Sequence, residues 1–499
     1  MSFFKPLGTA TIFSALLSGT AIADVTTEQV WNDLQEFYKT SGYTLDVGNQ
    51  TQDGDTLNID DIVMTMQFEE DEKLVVSGLS FALTQLDNGT VSITVPEEFP
   101  IIAEVEDVKI TLSMTTDGME IIASGDDASA SYDFKANSYG LSLDAIEDGD
   151  VTITPTAKAL AAGITGAYAI KKGEIQTVSG QIDARTLDLD LDFQGQESEA
   201  EMLKAVVGLK DVSQKFSYSV PEGIDYQDLP AALAAGLQGE VTASHGGANY
   251  DVELVDESDG FTMTGSTATG SFHYGLSDES VGSRWGSKDT KIQIIPSAMP
   301  LPVSYSVAET AGEILFPVAK SDTPSDAQIS FKISDLALDE MIWNMFDPQD
   351  ALPHDPMTLI VDLTSKLNLD FNLFDIEGAE DLPEDSFPGE LHEVNLEELK
   401  LSAVGAELTG EGAFTFNNDD LTTFPGMPAP AGKVSLKLVG GNTLLDKLVE
   451  MGFVPQDQAL GARMMIGLFA NAGAGEDELV STIEVKEDGS ILANDQRIK

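Results

Sequence analysis

Three aspartates alternate with apolar residues between residues 187 and 193, an arrangement that would offer oxygen ligands to a divalent cation. On a β-strand, Asp188, Asp190 and Asp192 share one face, about 7 Å apart by twice the rise per residue. Calcium takes roughly six to eight oxygens, usually from a tight loop that contains a glycine. No glycine interrupts this run. The pattern favours a solvated strand face, and a calcium site at these residues is the alternative.

Histidines are the candidates for acid–base chemistry, and none of them forms an HExxH motif. The chain has four: His245, His273, His354 and His392. His354 lies between two prolines and near Asp347 and Asp355. It is either a general base oriented by a carboxylate or a histidine that hydrogen-bonds a turn. His245 precedes two glycines, as in the oxyanion loop of esterases, but the chain lacks the G-x-S-x-G nucleophile motif.

Two predicted helices carry apolar side chains suited to a lipid or a protein partner. Trp343 and Phe346 complete the apolar face of a helix predicted over Asp335–Phe346 and capped by Ser334. Met464 and Met465 lie on the second helix of a pair predicted at 443–451 and 456–470. Thioether side chains repack easily around a ligand. Ligand binding by these four residues is one interpretation, and ordinary core packing is the other.

Strands that alternate apolar and polar residues dominate the rest of the chain. Asp-Gly and Asn-Gly pairs punctuate them, as two-residue hairpin turns require. An N-terminal helix opens with the capping box Thr26–Gln29 and is expected to cover a sheet. Short helices are also predicted at about 197–208 and 231–237. We predict a mainly β, β-rich α+β fold, in which extended antiparallel meander sheets form a curved half-barrel or sandwich with a few short covering helices.

The first 23 residues have the features of a signal peptide, with a positive start, an apolar stretch and a small-x-small site ending at Ala23. Proline clusters then suggest a division into residues 24–300, a boundary region at 301–326, and residues 327–499. No later stretch has the roughly 18 to 20 apolar residues that a membrane-spanning helix needs. We expect an exported, periplasmic protein with no transmembrane segment in the mature chain.

The charge balance is strongly acidic, with 85 acidic and 26 basic residues and a net charge of −59. Such a surface repels nucleic acid, so nucleic-acid binding is not expected. The acidic clusters at 69–72 and 380–385 are further candidates for a loosely held cation. The absence of cysteine excludes disulfides, thiol catalysis and iron–sulfur clusters. No cofactor is expected, with calcium as the one alternative.

The stretch IWNMFDPQDALPHDPMTLIVDL, from residue 342 to residue 363, resembles the signature of a domain-of-unknown-function family of exported alphaproteobacterial proteins. GKVSLKLVGGNTLLDKLVEMGFVPQ and the closing KEDGSILANDQRIK resemble the same family. More remotely, the meander with inserted helices is similar to AsmA-like envelope proteins, whose long curved sheets are associated with lipid handling. The resemblance implies a compartment and an architecture, and it assigns no catalytic residue.

We therefore predict a non-enzymatic envelope factor that holds an apolar ligand, such as a lipid, or an envelope protein partner in a sheet-lined groove. The reason is the excess of amphipathic strands over helices able to cover them. A periplasmic hydrolase that uses His354 or His245 is one alternative. A divalent-cation-dependent surface or matrix protein is another.

Overall fold

The computed structural model describes residues 25–40, 42–67, 73–105, 108–149, 151–194, 202–224, 228–256, 260–298, 301–375 and 389–499. The predicted signal peptide and the acidic clusters at 69–72 and 380–385 lie outside these ranges.

One antiparallel sheet accounts for nearly all of the described strands, so the mainly β prediction is confirmed. Its first half contains β1 (Tyr43–Asp53), β2 (Thr56–Gln67), β3 (Lys73–Gln85), β4 (Val91–Thr94), β5 (Glu98–Val105), β6 (Val108–Asp117), β7 (Glu120–Gly125), β8 (Ser129–Asp148), β9 (Val151–Ile153), β10 (Thr156–Lys171), β11 (Ile175–Gln194) and β12 (Met202–Pro221). Its second half contains β13 (Gln238–His245), β14 (Gly247–Val255), β15 (Phe261–Thr267), β16 (Thr269–Leu276), β17 (Ser280–Pro296), β18 (Val303–Pro317), β19 (Ser325–Leu338), β20 (Met357–Leu369), β21 (Gly389–Ala403), β22 (Ala406–Asn417), β23 (Ala429–Val439), β24 (Asn471–Ala472), β25 (Glu478–Val485), β26 (Ile491–Ala493) and β27 (Gln496–Arg497).

Strands that follow one another in the chain are mostly neighbours in the sheet, as in a meander. In several places, two shorter strands share the length of one long strand. β4 and β5 both pair with β3, and β6 and β7 both pair with β8. β13 and β14 both pair with β12, and β15 and β16 both pair with β17. Among the described residues, no pairing joins β1 to the C-terminal strands, so the sheet stays open. β18 lies within the predicted boundary region 301–326 and pairs on both sides; a domain division there stays a prediction.

Helices in the described residues are short and sit at the ends and edges of the sheet. They are α1 (Thr27–Thr40), α2 (Leu229–Ala234), α3 (Glu340–Phe346), α4 (Gly441–Glu450) and α5 (Gln456–Phe469). α1 begins as the capping box predicts, because Gln29 N–H donates to Thr26 Oγ1 over 3.1 Å. Trp31 of α1 is only 3% exposed and packs against the N-terminal strands. α2, α4 and α5 also fall where helices are predicted.

Two helix predictions are wrong in whole or in part. Residues 202–208 of the predicted helix 197–208 belong to β12, because Leu203, Ala205 and Val207 alternate with polar or exposed residues and pair with β11 and β14. Residues 197–201 lie outside the described part. The helix predicted from Asp335 instead starts at Glu340, and its cap is the carboxylate of Asp339.

Left-handed backbone conformations occur in the middle of long strands, where an extended chain is expected. They are found at Asp61 (φ 56°), Gly163 (φ 63°), Asp211 (φ 50°), Asp289 (φ 51°) and Asp335 (φ 53°). Aspartate and glycine tolerate this region better than other residues do. Gly163 of β10 and Asp211 of β12 lie opposite the same residue of β11, one on each side of that strand. In the same way, Asp289 of β17 and Asp335 of β19 lie opposite the same residue of β18. We call this row of left-handed residues the crease.

The crease inverts the alternation of faces along each strand that contains it. In β17, apolar residues have odd numbers before Asp289, as in Val281 and Trp285, and even numbers after it, as in Ile292 and Ile294. A single left-handed residue turns the following side chains to the opposite side. The two halves of the strand therefore present their apolar residues to the same side of the sheet.

Candidate functional site

One face of the C-terminal half of the sheet is lined by a continuous row of apolar or glycine residues. Directly opposite residues in antiparallel strands have their side chains on the same face. Following these partners across nine strands gives Ala243, Phe272, Trp285, Gly312, Phe331, Val361, Leu399, Gly410 and Leu436. We call this row the apolar ladder and the side it occupies the apolar face.

The adjacent row on the other side of the sheet is polar. Its members are Thr242, His273, Arg284, Glu313, Ser330, Asp362 and Glu398. Arg284 donates to Glu313 over 2.6 Å within this row. The hydrogen bond and the negative charge of Glu313 raise the pKa of the Arg284 guanidinium. The polar side is thus an ordinary hydrated surface, which makes the apolar face the distinctive one.

Large side chains on the apolar face remain open to solvent. Exposed fractions are 41% for Phe331, 47% for Ile329 and 46% for Leu401. A single exposed apolar residue is normal on a protein surface, whereas a contiguous row marks a binding surface. At the N-terminal end the situation differs, because α1 covers the sheet there and Trp31 joins a core that includes Ile59 and Tyr132. The apolar face is therefore covered by α1 at one end, buried again around Ala327 and Leu367, and open to solvent at side chains such as Phe331.

A cavity of about 610 Å³ lies at the crease on the apolar face. Leu209 and Val212 flank Asp211 and both line it, and Ser287 and Ile292 do the same around Asp289. Residues before and after the crease in β12 and β17 thus line the same cavity, because the inverted alternation turns both halves of each strand to one side. Its other lining residues are Ala243, Ser244, His245, Tyr250, Met263, Thr267, Gly270, Ser271, Phe272, Gly286, Thr290 and Tyr305.

Hydroxyl groups in this cavity are joined in a chain of hydrogen bonds. The Tyr250 hydroxyl donates to Thr267 Oγ1 over 3.2 Å, and Thr267 Oγ1 lies 3.1 Å from Thr290 Oγ1. Ser287 Oγ lies 3.3 Å from Thr290 Oγ1 and 2.6 Å from Thr310 Oγ1. Hydroxyls can donate and accept, so the direction of the chain can reverse. This cavity therefore offers a polar strip on an apolar wall.

His245 lines the same cavity, and its buried ring nitrogen Nδ1 has no hydrogen-bond partner among the described residues. The imidazole lies over Gly270, where an added Cβ would come within 2.1 Å of Nε2. A buried polar atom without a partner is uncommon in folded proteins. The hydrolase alternative at His245 requires a carboxylate or serine on the imidazole, and Nδ1 meets neither.

His354 forms a compact cluster with the end of α3. Its ring stacks on Trp343 at 4.2 Å between centroids, and its Nε2 lies 3.4 Å from Asp347 Oδ2. Asp347 is 1% exposed and accepts N–H groups from Ala351 over 2.9 Å and Leu352 over 2.7 Å. Burial alone would raise the pKa of Asp347, but these N–H groups and His354 hold it below its ordinary value. The cluster therefore stabilises the turn that follows α3.

The four residues predicted to bind a ligand lie apart from the crease cavity. Trp343 is buried at 3%, between His354 and Phe346. Phe346 is 39% exposed, and Met464 and Met465 on α5 are 64% and 58% exposed. Ligand binding at these positions stays a prediction. The apolar ladder was not predicted from the sequence, although the change from odd to even apolar positions at Asp289 was a readable signal of it.

The aspartates 188, 190 and 192 lie along β11, as the alternation predicts. Asp192 forms an ion pair with Lys204 over 3.5 Å. Within the described ranges, no three His, Asp or Glu side chains are grouped closely enough to hold a metal ion. Calcium binding stays a prediction.

The fold and the site define a class: an open antiparallel β protein whose one face is apolar and covered by a helix at one end. No helix in the described part of the chain is long and apolar enough to cross a membrane. The chain belongs to an uncharacterized protein family conserved in bacteria (DUF2125), whose family model matches residues 230–492, more than half of its length. The match begins within α2 and contains all residues that line the crease cavity except Leu209 and Val212. No curated protein and no solved structure matches the chain.

Proposed function

We propose that the protein is an exported, non-enzymatic envelope factor that holds the alkyl chains of an apolar ligand along its apolar face. The observation that carries this proposal is the apolar ladder, in which side chains such as Phe331 stay 41% exposed. Burying apolar area releases about 25 cal/mol per Å², so an alkyl chain gains by covering this row. Export is supported by the signal-peptide features of the first 23 residues.

Neighbouring residues of β20 provide a matched pair of variants that tests this proposal. Val361 is on the apolar ladder, between Phe331 and Leu399. Ile360 is on the polar side, between Lys332 and Lys400. Both are branched aliphatic residues, and replacing either with aspartate changes the net charge equally. Only the first substitution places a carboxylate where an alkyl chain would lie.

The measurement is the affinity of the full chain for N-phenyl-1-naphthylamine, a neutral apolar fluorophore, with native mass spectrometry of the purified protein for co-purified amphiphiles. Val361→Asp is expected to weaken probe binding by about tenfold or more, because burying a charge without a partner is costly. Ile360→Asp is expected to leave binding unchanged. Absence of probe binding, or equal loss in both variants with equal melting temperatures, would contradict the proposal.

A further inference from the structure

The crease cavity differs from the rest of the apolar face because it combines apolar walls with unused hydrogen-bonding capacity. The polar strip comes from the hydroxyls of Tyr250, Thr267, Thr290 and Ser287, together with His245. Beyond the cavity, from Gly312 to Leu436, every residue of the apolar ladder is aliphatic, aromatic or glycine. A ligand that meets both regions needs one polar group and one long apolar part.

The described residues that line the cavity include no Lys, Arg, Asp or Glu. A carboxylate or phosphate placed there would lose its hydration without gaining a cation, at a cost of several kcal/mol. The net charge of −59 adds a long-range repulsion of anions. An uncharged hydroxyl or carbonyl avoids both costs and still pairs with hydroxyls. The cavity therefore favours a neutral polar group over an anionic one.

The hydroxyls of Tyr250, Thr290 and Ser287 are the groups that such a head would meet, because His245 Nδ1 is closed off from solvent. Phe272 lines the cavity and also belongs to the apolar ladder. A chain attached to the polar group can thus pass from the cavity onto the ladder.

Resting on the proposed function, we propose that the crease cavity binds the uncharged head of a neutral long-chain amphiphile, such as a fatty alcohol or monoacylglycerol. The head hydrogen-bonds the hydroxyl chain of Thr267 and Thr290, and the tail lies on the apolar ladder. The cavity volume of about 610 Å³ is in the range that holds one small ligand.

The test compares ligands that share one alkyl chain and differ only in the head. 1-Decanol and decanoate are used to displace N-phenyl-1-naphthylamine from the full chain at about pH 8, where a carboxyl group is ionised. Decanol is expected to bind about tenfold tighter than decanoate, the effect of one hydrogen bond together with an avoided buried charge. Equal affinities, or tighter binding of decanoate, would overturn the proposal.

Variants of cavity residues test whether the preference for decanol over decanoate arises in the crease cavity. Thr267→Val and Thr290→Val are nearly isosteric and interrupt the hydroxyl chain. Each is expected to weaken decanol binding about threefold to tenfold and to reduce the preference for decanol over decanoate. Thr242→Val, on the polar side of the sheet, is the matched control and should leave decanol binding unchanged.

The two proposals fail in different ways. If the probe binds and Val361→Asp weakens its binding, but Thr267→Val and Thr290→Val leave the decanol preference intact, only the assignment of the head site is overturned. If neither the probe nor any decyl compound binds, the proposed function is overturned as well.

Discussion

At the scale of single residues, Asp347 shows how a buried carboxylate can fix a loop without forming a catalytic site. It accepts N–H groups from Ala351 and Leu352 and contacts His354, which stacks on Trp343. All of its acceptor capacity is directed inward, and its exposed fraction is 1%. The pairing of His354 with a carboxylate, which the sequence suggested, is present, and its geometric effect is to close the turn after α3.

Replacing Asp347 with asparagine is expected to lower the melting temperature at neutral pH, because the amide has a single acceptor oxygen and its NH2 group would face one of the two N–H donors. The pKa of Asp347 is lower in the folded protein than its ordinary value. Its contribution is therefore complete above the unfolded pKa of about 3.9 and is lost as the pH falls through the folded pKa. The difference between wild type and Asp347→Asn in thermal melts should shrink below about pH 4.

Asp350→Asn is the matched control for this prediction. Asp350 lies in the same loop, its side chain is 86% exposed, and it is 3.7 Å from His354. An exposed ion pair contributes little to stability. Equal melting temperatures for Asp347→Asn and wild type at neutral pH would contradict the role assigned to the buried carboxylate.

At the scale of secondary-structure elements, the crease determines which residues form the apolar face. The left-handed region costs most residues about 1–2 kcal/mol, and a β-branched residue is least suited to it. Asp289 is exposed, so substitutions there act mainly through the backbone. We expect Asp289→Gly to be nearly neutral and Asp289→Val to lower stability by about 1–2 kcal/mol, measured as the midpoint of urea unfolding.

Lys291, two residues further along β17, supplies the control for that prediction. It has an extended backbone and regular partners in both neighbouring strands. In an ordinary strand valine is favoured over glycine, so the ranking should reverse at this position. If glycine and valine rank in the same order at Asp289 and Lys291, the crease does not impose a left-handed requirement.

Elements with local signals were predictable from the sequence. The capping box at Thr26 and the apolar repeat through Trp31 predicted α1, and Gly452 and Pro455 separated α4 from α5. Alternation predicted the strands and the mainly β fold. The sequence predicts helix from Asp335, but β19 continues to Leu338, because the alternation changes at Asp335 without ending the strand.

Sequence alternation alone does not predict the apolar face. Period-two patterning assigns the two halves of β17 to opposite faces, and only the left-handed backbone at Asp289 brings them to one side. The hydroxyl chain has the same origin, because Thr267 and Thr290 come from different strands that meet at the crease. Which strands become neighbours depends on the pairing of distant segments, and local patterns do not contain that information.

At the scale of the whole molecule, an open sheet replaces a closed core as the organising feature. The N-terminal strands and α1 form a buried cluster around Ile59, Ile62 and Leu83, each at most 1% exposed. Several strands in the family region instead keep large apolar side chains accessible, as at Ile329 and Phe331. A sheet of this kind must cover its apolar face with something, and the proposed alkyl chain would satisfy that requirement where the helices do not reach.

The net charge of −59 should make the stability of the whole molecule depend on salt. Self-repulsion among the acidic side chains opposes the compact state, and the screening distance falls from about 10 Å at 0.1 M to about 3 Å at 1 M. We expect the melting temperature to rise between about 0.02 M and 0.5 M NaCl and then to level off. If screening is the cause, sodium sulfate at equal ionic strength should give the same rise, whereas surface exclusion would make sulfate more effective than chloride. A fall in melting temperature with added salt would contradict repulsion as the dominant effect. If the melting temperature rises only when calcium is added at sub-millimolar concentration, a specific cation site such as the aspartates of β11 is favoured instead.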